Sequence, residues 1–377
     1  MPNSSSLPTR LVSLDVFRGL TVMLMTVVNN PGDWGHIYPP LEHAEWNGCT
    51  PTDLVFPFFL FIVGVSLAYA LASAKRDGLP MGPVLARVAR RAAVLFGLGV
   101  LTSLYPHFDF ATVRIMGVLQ RIALVYFGCS LIYLTTSWRT QLILLVVFLS
   151  SYAMLMQLVP VPGFGPANLE PTTNLGAWLD RTLLTEPHLW KTSRTWDPEG
   201  LLGTLPALGT GLLGLLAGTW LRRPSTRLSK PVGLAAAGAL AVIVGLFWNA
   251  WFPINKALWT SSYVLFAGGL ALWLLALLYW LCDERGYRGG VGPALAFGVN
   301  AIAVFFFSAI LSRTFGLLHL PGPAGTPVGL KEWLYEWGIA PFFSDPRNAS
   351  LAGAVVCLLI WWGVLSFLRR QHWVWKV

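Results

Sequence analysis

Residues 53–74 read DLVFPFFLFIVGVSLAYALASA, with a single charge, Asp53, at the start. A helix needs about 20 apolar residues to cross a hydrocarbon core, and this run supplies them. It is apolar all round, with no polar face to turn toward water, so it reads as a helix immersed in lipid. Nine further runs extend the pattern outward: Leu11–Asn30, Val88–Tyr105, Ile115–Thr136, Gln141–Val161, Leu201–Leu221, Pro231–Phe252, Leu258–Cys282, Pro293–Ser312 and Leu351–Leu368. The first, third and last of the ten are short or polar at one end. Whole-chain composition agrees. Of 377 residues, 55% are hydrophobic and 11% charged, with mean hydropathy +0.61, whereas soluble domains carry about 25% charge. The predicted fold class is an all-α integral membrane protein, a bundle of about ten transmembrane helices with both termini cytoplasmic. It forms one domain over residues 1–377, with a polar tail at 1–10 and long connections at 31–52, 162–200 and 313–350. No internal sequence repeat is visible, which disfavours repeat-built transporter folds.

The tail at 1–10 lacks the apolar core of a cleavable signal peptide, so the first apolar run is expected to stay in the membrane. Ten spans put both termini on one side. If that side is the cytoplasm, its segments hold 17 of the 26 basic residues, among them Arg10, Arg87, Arg90, Arg91, Arg222, Arg223, Arg227, Arg369, Arg370 and Lys376, and 4 of the 17 acids. This is the expected lysine and arginine bias. The net charge of +9 therefore orients the protein and requires no nucleic acid. The long connections, and five of the six histidines (His36, His43, His107, His188 and His319), fall on the outer side. The chemistry is expected at the outer mouth of the bundle, in a multi-pass protein of the cell's inner (plasma) membrane. Cys49, Cys129, Cys282 and Cys357 are scattered, with no cluster at metal-ligand spacing, so no metal is expected.

Several polar residues require an explanation. His43 lies just before the second span and Asn29 at the end of the first. An imidazole accepts and returns a proton near neutral pH, and an amide beside it can orient it or donate to an oxyanion. The structural alternative is a histidine that only ties down a loop. Thr50-Pro51-Thr52-Asp53 has the pattern of a helix start with Asp53 in the capping-box role; the rival reading makes Asp53 a carboxylate that orients an imidazole. Asp15 and Arg18, three apart on one helix face, read either as an ion pair or as a phosphate contact at the inner opening. Arg114 and Arg121 are two turns apart, and Arg121 lies deep enough to need a partner or water. Asp197 and Glu199 could attract an amine or be solvated loop residues. Asn255 and Lys256 begin a run of donors ending at Tyr263. Asn300, inside the ninth span, reads as interhelical glue. There is no G-x-S-x-G, H-E-x-x-H or P-loop.

The motifs Ser13-Leu14-Asp15-Val16-Phe17-Arg18-Gly19-Leu20, Val28-Asn29, His43-Ala44-Glu45-Trp46-Asn47-Gly48 and Asp53-Leu54-Val55-Phe56-Pro57 together resemble the heparan-alpha-glucosaminide N-acetyltransferase family, within a transmembrane acyltransferase superfamily. Gly117-Val118-Leu119-Gln120-Arg121, Asp197-Pro198-Glu199-Gly200 and Asn255-Lys256-Ala257-Leu258-Trp259 fit in the same order, so the resemblance runs from about Arg10 to the C-terminus. It implies transfer of acetyl from cytosolic acetyl-CoA to the amino group of a terminal glucosamine across the membrane. His43 matches the family's active-site histidine and Asn29 the asparagine beside it. Lysosomal members carry a lumenal domain and an extra helix ahead of the shared core, so this chain is expected to be a bacterial-type core without them.

The expected enzyme is an acetyl-CoA-dependent N-acetyltransferase. His43 acts as general base or acetyl carrier, with Asn29 and Asp53 as its catalytic partners. Arg121, Arg18 and Arg114 are the candidates for holding acetyl-CoA. Asp197, Glu199, Asn255, Lys256 and Trp46 are the candidates for binding a glucosamine-like or other extracytoplasmic glycan acceptor. Its remaining partner is the lipid bilayer, with a homodimer as the oligomer to test. The rival function is a transporter of a small polar or anionic solute, its pathway lined by Arg114, Arg121 and Asn300. A non-catalytic membrane scaffold leaves the clustered outer polar residues without a role.

Overall fold

A computed structural model describes residues 11–224, 229–322, 326–371, 373 and 375. The tail at 1–10, with Arg10, and the basic residues Arg227 and Lys376 lie outside the described residues. The chain is mostly helical: α1 (Val12–Val28), α2 (Val55–Ala70), α3 (Ala72–Arg76), α4 (Met81–Leu104), α5 (Val118–Thr135), α6 (Trp138–Leu158), α7 (Leu175–Leu184), α8 (Thr204–Leu221), α9 (Lys230–Trp248), α10 (Ser261–Leu278), α11 (Gly292–Val299) and α12 (Ala301–Leu317). A short antiparallel hairpin, β1 (His319–Pro321) and β2 (Pro327–Gly329), precedes α13 (Leu330–Gly338) and α14 (Pro346–Arg370). In lipid every backbone N–H and C=O must be satisfied within the segment, so apolar runs of this length become helices.

Among the described residues, seven helices are long and apolar enough to cross a membrane, or eight when the bent pair α11–α12 counts as one span. Two expected spans fall short of that standard for visible reasons. The helix found in Leu11–Asn30 has only 17 residues. The one expected at Val88–Tyr105 starts earlier, at Met81, and carries Arg87, Arg90 and Arg91 in its first half. The ninth expected span, Pro293–Ser312, is broken: α11 and α12 meet at 76°. The break falls at Asn300, whose side chain accepts a hydrogen bond from Trp375 N at 3.2 Å. A short amide competes with the helix for backbone partners, which suits such a bend. The connection expected over 313–350 is also more structured than a loop, since it holds the end of α12, the hairpin and α13.

Small residues let the helix backbones touch, as helix pairs in lipid require. A Cβ on Gly64 would stand 2.0 Å from Gly211 O, and one on Gly214 1.9 Å from Phe61 O, which locks α2 to α8. The α1–α11 pair is as close: a Cβ on Gly298 would meet Asp15 O at 2.2 Å. These contacts hold α1, α2 and the α11–α12 break around a shared interior, and α5 closes it opposite.

Candidate active site

The site begins with the turn that starts α2. Residues Pro51–Leu54 form one 3-10 turn ahead of α2, and Asp53 caps it. Asp53 Oδ2 accepts from Thr50 N at 3.0 Å, Thr50 Oγ1 at 3.1 Å and Ala44 N at 3.1 Å. Its other oxygen, Oδ1, lies 2.6 Å from His43 Nδ1. The two readings of Asp53 left open by the sequence are therefore compatible, one per carboxylate oxygen. Asp53 is only 1% exposed, and its backbone carbonyl accepts from the Tyr263 hydroxyl at 2.5 Å, so the group is fixed in place.

A carboxylate only accepts, so Nδ1 of His43 carries the proton in this pair, and in the neutral ring the lone pair is then on Nε2. The His43 side chain is 52% exposed and lines a cavity of about 120 Å³. Asn29, Glu199 and Lys256 supply the other polar lining, and Val55, Phe56, Phe59, Ile122, Ile302 and Phe305 make apolar walls. Lys256 Nζ is 3.3 and 3.4 Å from the two ring nitrogens of His43 and 4.0 Å from Asp53 Oδ1. Burial pulls the Lys256 ammonium below its usual range, against the pull of Glu199 and Asp53. Three titratable groups and the Asn29 amide thus converge on one cavity, from the end of α1, the first connection and the turns before α8 and α10.

Other sequence candidates serve the frame. Asn255 is fully buried; its amide donates to Asn47 Oδ1 at 3.2 Å and accepts from Leu258 N at 2.8 Å. With the Gly48 N to Ile254 O bond of 2.7 Å, this ties the first connection to the turn that carries Lys256. The Trp46 indole donates to Leu169 O at 3.1 Å and packs edge-on against Trp196. Arg114 donates to both oxygens of Asp197, at 2.8 and 2.6 Å, and to Glu199. Burial opposes its charge, but the two carboxylates hold the guanidinium protonated above its ordinary range. Burial alone would raise Glu199 too, yet Arg114, Arg121 and Lys256 hold its carboxyl below the usual value. Arg121 is fully buried, donating to Pro198 O at 2.9 Å and Gly200 O at 2.8 Å, and it stacks near the Trp259 ring. Neither Arg114 nor Arg121 is among the residues lining the His43 cavity.

Arg18 lies elsewhere, with Asp15 at 3.3 Å and Ser66 Oγ at 2.9 Å. It lines a second cavity of about 330 Å³ toward the opposite end of α2, together with Arg91, Tyr126 and Trp375. Phe59 and Ile302 line both cavities, so the two abut there. On α2 the lining positions run from Val55 through Phe59 to Ala70 at helical spacing, along about 22 Å of axis at 1.5 Å per residue. Sequence reasoning passed over Arg91 as a site residue. Its signal was present: a basic residue one turn inside an apolar run.

Residues 10–246 match the family model described as heparan-alpha-glucosaminide N-acetyltransferase, catalytic. The chain is 28% identical to the heparan-alpha-glucosaminide N-acetyltransferase of Homo sapiens, over 99% of its own length and 61% of the human protein. The Mus musculus protein of the same name is also 28% identical, over 98% of the chain and 60% of that protein. The chain thus spans about three fifths of the length of these relatives.

Proposed function

Taking as premise that this chain belongs to the heparan-alpha-glucosaminide N-acetyltransferase family, we propose that it is a transmembrane acetyltransferase. It moves acetyl from cytosolic acetyl-CoA to an amino sugar or related glycan acceptor on the extracytoplasmic side of the inner membrane. The observation that carries this reading is the Asp53–His43 pair facing a cavity that abuts, at Phe59 and Ile302, a second cavity bearing Arg18 and Arg91. In this reading α1, α4 and the bent α11–α12 pair each cross once, which makes ten spans with both termini cytoplasmic. The Arg18/Arg91 cavity then opens inward, where cationic side chains suit the phosphates of the donor. The apolar walls between the two ends suit its uncharged arm.

At the outer end, Nε2 of His43 takes a proton from the acceptor amine as its nitrogen attacks the thioester carbonyl. The N–C bond forms, the C–S bond breaks, and the proton passes from the imidazolium to the departing thiolate. Asp53 stabilises the imidazolium between these steps. Lys256 and the Asn29 amide stand where negative charge develops on the carbonyl oxygen. If acetyl is first carried by the histidine, the same Nε2 is the nucleophile. Arg114, Arg121 and Asn300, the residues a solute pathway would use in the rival reading, are absent from the lining of both cavities.

The test is acetyl transfer by the purified full chain from acetyl-CoA to glucosamine, followed by mass spectrometry of the product. His43→Ala is expected to lower turnover by about 100-fold or more, the lower bound for losing a positioned general base. Wild-type turnover in that variant would reject the role of His43.

A further inference from the structure

Three short connections meet at the end of α2 away from His43. They are the turn after α3, the α5–α6 turn and the α8–α9 turn. In sequence, residues 72–77, 136–140 and 222–230 hold seven bases and one acid, Asp77. Packing joins them. Lys75 Nζ donates to Tyr133 O and Thr136 O, each at 2.5 Å. Arg222 donates to Ala68 O at 3.1 Å and to the Tyr133 hydroxyl at 3.2 Å. Asp77 is held by Arg76 at 2.8 Å. The Trp220 indole donates to Lys230 O at 3.1 Å, which fixes the start of α9 beside the end of α8.

Two cations remain unengaged. The Arg223 guanidinium lies 4.8 Å from the Trp138 ring centroid and 5.5 Å from that of Trp220, and Arg139 lies 5.6 Å from the Trp138 centroid. Neither arginine has a hydrogen-bond or ion-pair partner among the described residues. Arg139 is exposed and Arg223 half-exposed, so both can reach a ligand. Sharing one indole, the two cations stand within about 10 Å, roughly a Debye length at 0.1 M salt, and repel each other with no acid to offset them. A bound anion removes that repulsion, and the planar fork of a guanidinium matches phosphate oxygens.

The same indole heads an apolar stripe. Trp138 is the first residue of α6, and Leu142 and Val146 follow it one and two turns on, along the same helix face. All three are exposed. A free phosphate would use only the guanidiniums, whereas a phospholipid would use the stripe as well.

We propose that the corner formed by Arg139, Arg223 and Trp138 binds one anionic phospholipid. Its phosphodiester takes the two guanidiniums, and an acyl chain runs down Trp138, Leu142 and Val146. The local excess of bases selects an anionic headgroup, since a choline or ethanolamine would add a further cation to the corner. In the ten-span reading the corner lies in the inner leaflet. The lipid would tie together the ends of α6, α8 and α9, and this assignment does not depend on the reaction at His43.

The experiment is native mass spectrometry of the purified full chain, titrated in parallel with phosphatidylglycerol, phosphatidylcholine and the soluble headgroup glycerol 1-phosphate. The first phosphatidylglycerol is expected to bind about tenfold tighter than phosphatidylcholine, and Arg139→Gln with Arg223→Gln to abolish that preference, as charge-assisted hydrogen bonds to one phosphate are lost. Arg285, which stacks singly on Trp280 at 5.2 Å, provides the control. Arg285→Gln with Arg370→Gln removes the same charge from the same end of the bundle and is expected to bind within about twofold of wild type. If the first pair does not fold, Arg139→Gln alone, at an exposed side chain with no bond to lose, is expected to weaken binding about threefold or more. An equal loss in both pairs would assign the binding to diffuse surface charge and overturn the site. So would phosphatidylglycerol that binds no tighter than phosphatidylcholine. Displacement of the lipid by an equal concentration of glycerol 1-phosphate would assign the corner to a free phosphate and overturn the lipid.

Discussion

Replacing Asp53 with asparagine changes one atom of the side chain and almost no volume, and the surrounding geometry dictates the result. Three donors, Ala44 N, Thr50 N and Thr50 Oγ1, converge on the Oδ2 side at 3.0–3.1 Å. Two of them are backbone N–H groups that cannot become acceptors. The oxygen of the new amide must therefore face them, which turns its NH2 toward His43 Nδ1. An NH2 only donates, so Nδ1 must become the acceptor and the ring proton moves to Nε2. The lone pair leaves the cavity, and the base is disabled without being removed. In trypsin-like enzymes the equivalent change costs about 10⁴ in kcat. His43 is half-exposed and Lys256 also contacts its ring, so the tautomer is less firmly held and the expected loss is about 10²–10⁴, or ~3–5.5 kcal/mol of barrier. The cap bonds survive in this arrangement, so thermal stability should change by no more than ~1–2 kcal/mol. The assay is kcat/KM for acetyl transfer to glucosamine across pH, with a melting curve in the same detergent. Activity within about twofold of wild type, in a protein that melts normally, would refute the argument that Asp53 sets the tautomer.

Two further outcomes follow from the buried charges. Arg114→Gln strands Asp197 and Glu199 without their main partner, which costs about 3–5 kcal/mol for a buried pair; the measurement is a large fall in apparent Tm, partly recovered at acidic pH where the carboxylates protonate. Asp180, buried beside the 197–201 turn and accepting from Leu201 N at 2.8 Å, is pushed up by burial to about 7, from 3.8. Between about pH 4 and 7 the folded state thus binds more protons at this site than the unfolded chain, so the stability it contributes is full below about pH 4 and is lost as pH rises through about 7. Asp180→Asn should therefore raise the apparent Tm at about pH 8 and converge on wild type near pH 4; an equal difference at both pH values would reject the assignment.

Much of the fold was legible without coordinates, because lipid leaves the backbone little choice. The run at 53–74 contains α2 and the end of its capping turn, and the Asp15–Arg18 pair found at 3.3 Å follows from a three-residue spacing. Residue type and position made His43, Asn29 and Asp53 candidates, the family resemblance gave His43 and Asn29 their expected role, and all three lie at or behind one cavity wall. The arginines were harder. Arg114 and Arg121 are separated from their partners at 197–200 by more than 75 residues, and nothing local in the sequence says which distant carboxylate or carbonyl will neutralise them.

Composition and periodicity alone thus determined that this chain lives in lipid as a bundle of helices with polar residues gathered at their ends, since hydropathy and helical spacing are properties of consecutive residues. Only tertiary structure decided which charges are free for chemistry. Arg114 and Asp197 bond each other outside the lining of the His43 cavity, Glu199 bonds Arg114 and also lines that cavity, and His43, Lys256 and Asn29 line it with no bond to Arg114. The 76° bend at Asn300, whose side chain accepts from Trp375 N, was likewise visible only in the folded chain. Whether a polar group is engaged depends on neighbours brought close by folding, and an ionic or hydrogen-bonding contact acts over a few ångströms of space whatever the separation along the chain.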